Sequence, residues 1–139
     1  ERDASVFYAS LHQFPHYPGS GAASERGCGA GLGATLNLPQ LAGSGDREWL
    51  AAFEQQLAPA LEDFRPQLVL ISAGFDAHRD DPLSATELTE AGFRRMTEVL
   101  LDIARRHADG RLVSVLEGGY DLNALARSAE AHVQELVHG

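Results

Sequence analysis

The segment Asp76-Ala-His78-Arg-Asp80-Asp81-Pro82 places three carboxylates and an imidazole within seven residues. Carboxylate and imidazole together suit zinc or a harder divalent ion. Pro82 biases Asp81 toward an extended backbone, so this carboxylate loses less entropy on meeting a ligand. The same residues can also cap a following helix or face water, and composition alone favours that use. Further along, Gly118-Gly119-Tyr120 offers a backbone that a ligand can approach closely. The phenol of Tyr120 could donate a hydrogen bond to a developing oxyanion, or simply pack over a turn. His12 and Tyr17 add two more groups capable of chemistry.

These residues need elements to position them. Residues 4–11 read as a short apolar strand, and 34–38 as a second one stopped by Pro39. Ser44 and Asp46 are cap candidates for a helix from Arg47 to Phe64. Its apolar positions Leu50, Phe53, Leu57, Leu61 and Phe64 share a face, and Pro59 is expected to kink it. Gln67–Ala73 is the clearest buried strand. Ser84-Ala-Thr-Glu87 fits a capping box that opens a helix to His107. Arg111–Leu116 is a fourth strand. Asp121 can cap a last helix, with Leu122, Ala126, Ala129, Val133 and Leu136 expected inward. Strands alternating with helices predict an α/β fold with a mostly parallel sheet and helices on both faces. Ligands of such sheets bind beyond the carboxyl ends of the strands. The loops 11–33, 74–81 and 117–120 all leave such ends.

Composition narrows the classes. The 139 residues are 44% hydrophobic and 22% charged, ordinary for a globular domain and unlike a disordered or collagenous chain. No apolar run is long enough to span a bilayer, and no signal peptide is evident. The net charge is −9, with every basic residue an arginine. That disfavours a nucleic acid backbone and suits cationic partners. The single cysteine, Cys28, permits neither an internal disulfide nor a cysteine zinc cage; it reads as structural. The glycines of 19–33 lack the Gly-x-Gly-x-x-Gly register and a helix directly after them. Trp49 reads as a packing residue, and His107, His132 and His138 as solvated. A cytoplasmic location is the default expectation.

Five ordered motifs carry a resemblance. Ser10-Leu-His12-Gln, Tyr17-Pro-Gly-Ser-Gly21, Leu68-Val-Leu-Ile-Ser-Ala-Gly-Phe-Asp-Ala-His78, Asp81-Pro-Leu83 and Leu116-Glu-Gly-Gly-Tyr120-Asp resemble the zinc-dependent histone deacetylase superfamily. That superfamily includes acetylpolyamine amidohydrolases and bacterial deacetylase-like amidohydrolases. The wording of the motifs is similar to its class II and bacterial branch.

The resemblance implies an arginase/deacetylase-like fold and roles position by position. Asp81 matches the carboxylate zinc ligand, which makes Asp76-x-His78 a decoy. Tyr120 matches the tyrosine that hydrogen-bonds the scissile carbonyl. Tyr17 matches an aromatic wall of the acyl-lysine channel, Leu88 an apolar residue at its mouth, and Gly119 a channel position. Ser10 and Leu11 match positions whose oxygens help hold a structural potassium ion. The implied reaction is zinc-dependent removal of an acetyl or other acyl group from lysine, a polyamine or a small acylamide. The upstream Asp and His ligands and the tandem histidine base have no match here.

Together with the absent initiating Met, this leads us to expect that residues 1–139 are the C-terminal portion of one deacetylase catalytic domain. On that expectation the isolated chain is inactive and needs the N-terminal part to complete the site. The alternative is a non-catalytic remnant that binds a partner or ligand. A binuclear manganese hydrolase is disfavoured, because one metal carboxylate fits the pattern. An apolar Leu88 at the channel mouth would also disfavour polyamines.

Overall fold

A computed structural model describes residues 1–139. Strand β1 (Tyr8–Gln13) pairs in parallel with β2 (Thr35–Gln40), and β3 (Val69–Ala73) pairs in parallel with β4 (Leu112–Leu116). The helices are α1 (Asp46–Ala52), α2 (Ala58–Phe64), α3 (Glu90–His107) and α4 (Leu122–His138). No helix is long and apolar enough to cross a membrane.

The first strand lies later than its apolar run suggests. Asp3 accepts from the backbone N–H of Ser5 and turns the chain there, so pairing starts only at Tyr8. It then runs through His12 and Gln13, which are polar. Strand β2 continues through Pro39 rather than stopping at it. The N–H of Phe14 bonds Gln40 O, so Gln40 faces β1 while its neighbour Pro39 points its N-side away. The missing donor of Pro39 therefore leaves no gap in the ladder.

Helices α1 and α2 are one continuous rod joined by a π turn over Phe53–Leu57. The wider turn lies just before Pro59, which has no N–H to return to the preceding turn. Gly45 caps the rod at its start, and Glu48 reaches back to the Gly45 N–H at 3.1 Å.

Helix α3 begins at Glu90, not at Ser84. The polar groups of 84–87 are engaged elsewhere. Gln13 Oε1 accepts from the Ala85 N–H at 2.8 Å, and Thr86 Oγ1 donates to Ala77 O at 2.9 Å. Residues 87 and 88 form single parallel bridges to Gly45 and His78. The helix cap is Thr89, held by Asp46, whose carboxylate accepts from the Thr89 N–H and hydroxyl at 2.8 and 2.6 Å. Asp121 caps α4 as the sequence predicts, accepting from Ala124 N–H at 2.7 Å.

The core is built in three linked clusters. Trp49, Ala73, Phe75, Leu88 and Phe93 fill the first. Leu38, Ala52, Phe53 and Leu57 fill the second, under β1 and β2. Val69, Ile103 and Ala104 fill the third, between β3 and α3. The opposite face of β3 and β4 shows Leu70, Val113 and Val115 to solvent.

Helix α4 is turned relative to its expected inward face. Leu122 and Val133 are exposed, and Ala124, Ser128, Ala131 and His132 are buried. The small side chains of Ala124, Ser128 and Ala131 suit the packing of α4 on α3. His132 is thus a core residue rather than a solvated one. Its Nδ1–H donates to Thr97 Oγ1, whose own hydroxyl is spent on Phe93 O; its Nε2 accepts from Ser114 Oγ. His107 pairs with Glu62 at 2.6 Å and is not freely solvated either. Cys28 is exposed and takes no part in the core.

Candidate active site

The loops after β1, β3 and β4 meet at one end of the molecule. A cleft of about 280 Å³ opens between them. His12 lines it from the end of β1, His16 and Tyr17 from the first loop, Gly74 and Asp76 from the second, Leu83 and Ser84 from the segment before α3, and Glu117 and Gly118 from the third. This is the position expected for a ligand site in a parallel sheet.

Tyr120 lies two residues beyond Gly118, which lines the cleft, and Asp81 is bonded to its backbone. The Asp81 carboxylate is buried. Its Oδ2 accepts from the backbone N–H of Tyr120 at 2.7 Å, and its Oδ1 accepts from the N–H of Leu83 at 2.9 Å. Each oxygen keeps a further lone pair. The Tyr120 side chain is exposed, so its phenol is available to a ligand. Two glycines allow this approach. A Cβ on Gly118 would stand 2.7 Å from Asp76 Oδ2, and Gly119 adopts φ +139°, a backbone that other residues rarely take.

Asp76 lies against Gly118 and near Asp81. Burial raises its carboxyl above the ordinary carboxylate range, the negative charge of Asp81 adds to this, and His16 opposes it. His78 lies deep under the same loop, with its Nδ1 accepting from the Asp80 N–H at 3.0 Å. Its ring therefore serves the loop and does not reach the cleft.

The other expected positions are distributed unevenly. Tyr17 is almost fully exposed on the cleft rim. The Ser10 hydroxyl bonds His12 Nδ1 at 2.8 Å, and His12 Nε2 donates to Gly21 O at 3.0 Å. Leu11 lies in β1 opposite Leu38. Leu88 departs from expectation. It is fully buried between Trp49 and Phe93, because its backbone bridges His78 and turns the side chain into the core. It is not at a channel mouth. The exposed apolar side chain bordering the cleft on this segment is Leu83.

Comparison with known proteins bears on this geometry. A model of the histone deacetylase domain matches residues 1–136. The chain belongs to the histone deacetylase family. It is 43% identical over 138 residues to the histone deacetylase-like amidohydrolase of Pseudomonas aeruginosa, covering 97% of this chain and 36% of that protein. It is 42% identical over 120 residues to a probable deacetylase of Archaeoglobus fulgidus, covering 86% and 33%. It is 42% identical over 126 residues to histone deacetylase 10, chloroplastic, of Oryza sativa, covering 91% and 28%. Among solved structures, the HDA15 HD domain superposes with a TM-score of 0.91 at 41% identity, covering 98% of this chain and 38% of that one. The histone deacetylase Clr3 superposes with a TM-score of 0.90 at 40% identity, covering 97% and 23%. The chain thus spans between about a quarter and two fifths of the lengths of these relatives.

Whether this chain fits a zinc ion can be tested on its donors. The buried Asp81 carboxylate, with spare lone pairs, has the chemistry of one ligand. No group of three or more His, Cys, Asp or Glu side chains is arranged to hold a metal. Catalytic zinc needs about three protein ligands, so these residues alone do not make a zinc site.

Proposed function

We propose that this histone deacetylase family chain serves in the zinc-dependent hydrolysis of an acylated amine, with acetyl-lysine or a similar acylamide as substrate. The observation that carries the reading is the Asp81–Tyr120 pair: a buried carboxylate bonded to the backbone of an exposed tyrosine two residues beyond Gly118, which lines the cleft. In this reading Asp81 is the carboxylate that the chain contributes to the metal. Bound zinc would polarise the amide carbonyl and lower the pKa of water. Tyr120 would donate its phenolic proton in a hydrogen bond to the carbonyl oxygen as negative charge develops there. Tyr17, on the cleft rim, would border the acyl chain. Ser10 and Leu11 would offer oxygens to a potassium ion, since the Ser10 oxygen keeps lone pairs beyond its bond to His12.

Lysine, polyamine and small acylamide substrates all remain compatible. Leu88 has no bearing on that choice, because it is buried. The net charge of −9 suits any cationic substrate.

The test uses the complete polypeptide that carries these residues. Tyr120→Phe should lower kcat on an acetyl-lysine peptide by roughly 100-fold or more, as for loss of an oxyanion donor, with bound zinc unchanged. Wild-type turnover in the variant would sink the assignment of Tyr120.

A further inference from the structure

The network behind the Asp81–Tyr120 pair is not used by the reaction proposed above. Arg127 projects from α4 and donates through Nε to Glu90 Oε1 at 2.5 Å and through a terminal nitrogen to Asp80 Oδ2 at 2.9 Å. Glu90 is the first residue of α3, and Asp80 immediately precedes Asp81. Behind them lies His78, whose side chain is 1% exposed. Its Nδ1 accepts from the Asp80 N–H, so the proton of the neutral ring sits on Nε2. That nitrogen faces Glu90 Oε1 at 3.4 Å and has no hydrogen-bond partner. The carbonyl of His78 in turn accepts from the Asp81 N–H at 2.9 Å.

These contacts close a ring. Asp81 bonds Tyr120; Tyr120 leads through its neighbour Asp121 into α4; α4 carries Arg127; and Arg127 returns to Asp80, next to Asp81. The ring joins the two loops that carry the pair and closes them against the start of α3. Holding this geometry with one planar guanidinium fixes direction as well as distance, because its N–H groups form a rigid fork. Exposed ion pairs contribute little to stability. Arg127 is about half exposed, so its position at the junction matters more than its contribution to folding energy.

We propose that Arg127, acting with Glu90, Asp80 and His78, is a positioning residue that sets the separation and orientation of Asp81 and Tyr120. The functional consequence rests on the reading that these two groups serve one reaction. The positional claim stands on the contacts alone.

The test is made in the complete polypeptide with Arg127→Met, which keeps much of the side-chain bulk, and Arg127→Lys, which keeps the charge without the fork. Arg105→Met, removing an exposed pair with Asp102 on α3, is the control. The first readout is amide hydrogen exchange at Tyr120 and Leu83, the two N–H groups that Asp81 accepts from. Exchange there should quicken about tenfold or more in both Arg127 variants, relative to the β1–β2 ladder, and stay unchanged in the control. The second is turnover of an acetyl-lysine peptide, where kcat should fall roughly 10- to 100-fold with little change in KM, the range seen for residues that orient metal ligands. Exchange at Tyr120 and Leu83 within twofold of wild type would overturn the proposal whatever the activity. Uniform acceleration across the molecule would also overturn it, as a merely structural role. Should Arg127→Met fail to fold, Glu90→Gln gives the same reading, with the same local acceleration expected. A wild-type protein that cleaves no acylated amine would overturn the proposed function, and the exchange result would still decide the clamp.

Discussion

His12 and Gly21 meet on two sides. The ring Nε2 donates to Gly21 O at 3.0 Å, and a Cβ placed on Gly21 would lie 2.4 Å from the same nitrogen. Gly21 also holds φ +96°, where side chains are strained. The glycine is therefore needed for both its backbone and its bareness. Gly21→Ala should cost about 1–3 kcal/mol, measured as a lower urea midpoint. His12→Ala should relieve part of that cost, so the double variant should be more stable than the sum of the singles. Strict additivity would show that the ring is not what the new methyl meets.

Asp81→Asn should reduce zinc affinity and turnover together in the complete polypeptide. It keeps a side chain of the same shape and weakens the acceptor facing Tyr120. Zinc titration with unchanged affinity would remove Asp81 from the ligand set.

Leu88→Ala should destabilise the fold by about 2–5 kcal/mol, as for a deleted core leucine. Its relative preference among acylated lysine, polyamine and small amide should not change. A specificity shift without a stability loss would return Leu88 to the channel.

Two groups give the stability a defined pH dependence. Burial depresses the His132 pKa below its ordinary value near 6.5. The folded state then binds this proton less readily than the unfolded one. Stability from the neutral ring is full above that ordinary value and is lost as pH falls through the lower folded value. Glu90 is lowered from 4.5 to about 2, chiefly by its hydrogen bond from Arg127. Its contribution is present above 4.5 and is lost as pH falls toward 2. Urea midpoints should therefore drop in two stages on acidification. His132→Gln should remove the first stage, and Arg127→Met should shrink the second. A single stage near pH 4 in the wild type would contradict the assignment of His132.

Much of this could be read from residue order. The apolar run of β3, the periodicity of α3 and the Asp121 cap were all visible, because each is a local signal. The motifs around Asp81 and Tyr120 were visible too, as short ordered strings. Other features depend on contacts distant in sequence. The start of α3 moves because Gln13, far away in the chain, takes the Ala85 N–H. His132 and Ser128 turn inward on α4 although polarity places them outside. Two hydroxyl partners on α3 and β4 make His132 acceptable there, and no local pattern announces them. Leu88 fits a channel motif, but a bridge to His78 directs it into the core. The Arg127 ring was equally hidden, since its members are drawn from three separated segments.

The π turn at Phe53–Leu57 explains how one rod serves two hydrophobic clusters. Trp49, Phe53, Leu57 and Leu61 repeat every four residues, and in a regular α-helix each such step overshoots a full circle by about 40°. The stripe would wind off its partners within three steps. The wider turn acts as a phase correction. It lets Trp49 face Phe93 while Phe53 and Leu57 face Leu38. Removing one glutamine, Gln55 or Gln56, would erase the correction and rotate everything beyond it by about 100°. Leu61 and Phe64 would then face solvent, and Phe7, whose ring lies 5.4 Å from that of Phe64, would lose the neighbour that anchors the approach to β1. In this rod, residue count rather than residue identity keeps the helix aligned with its strands.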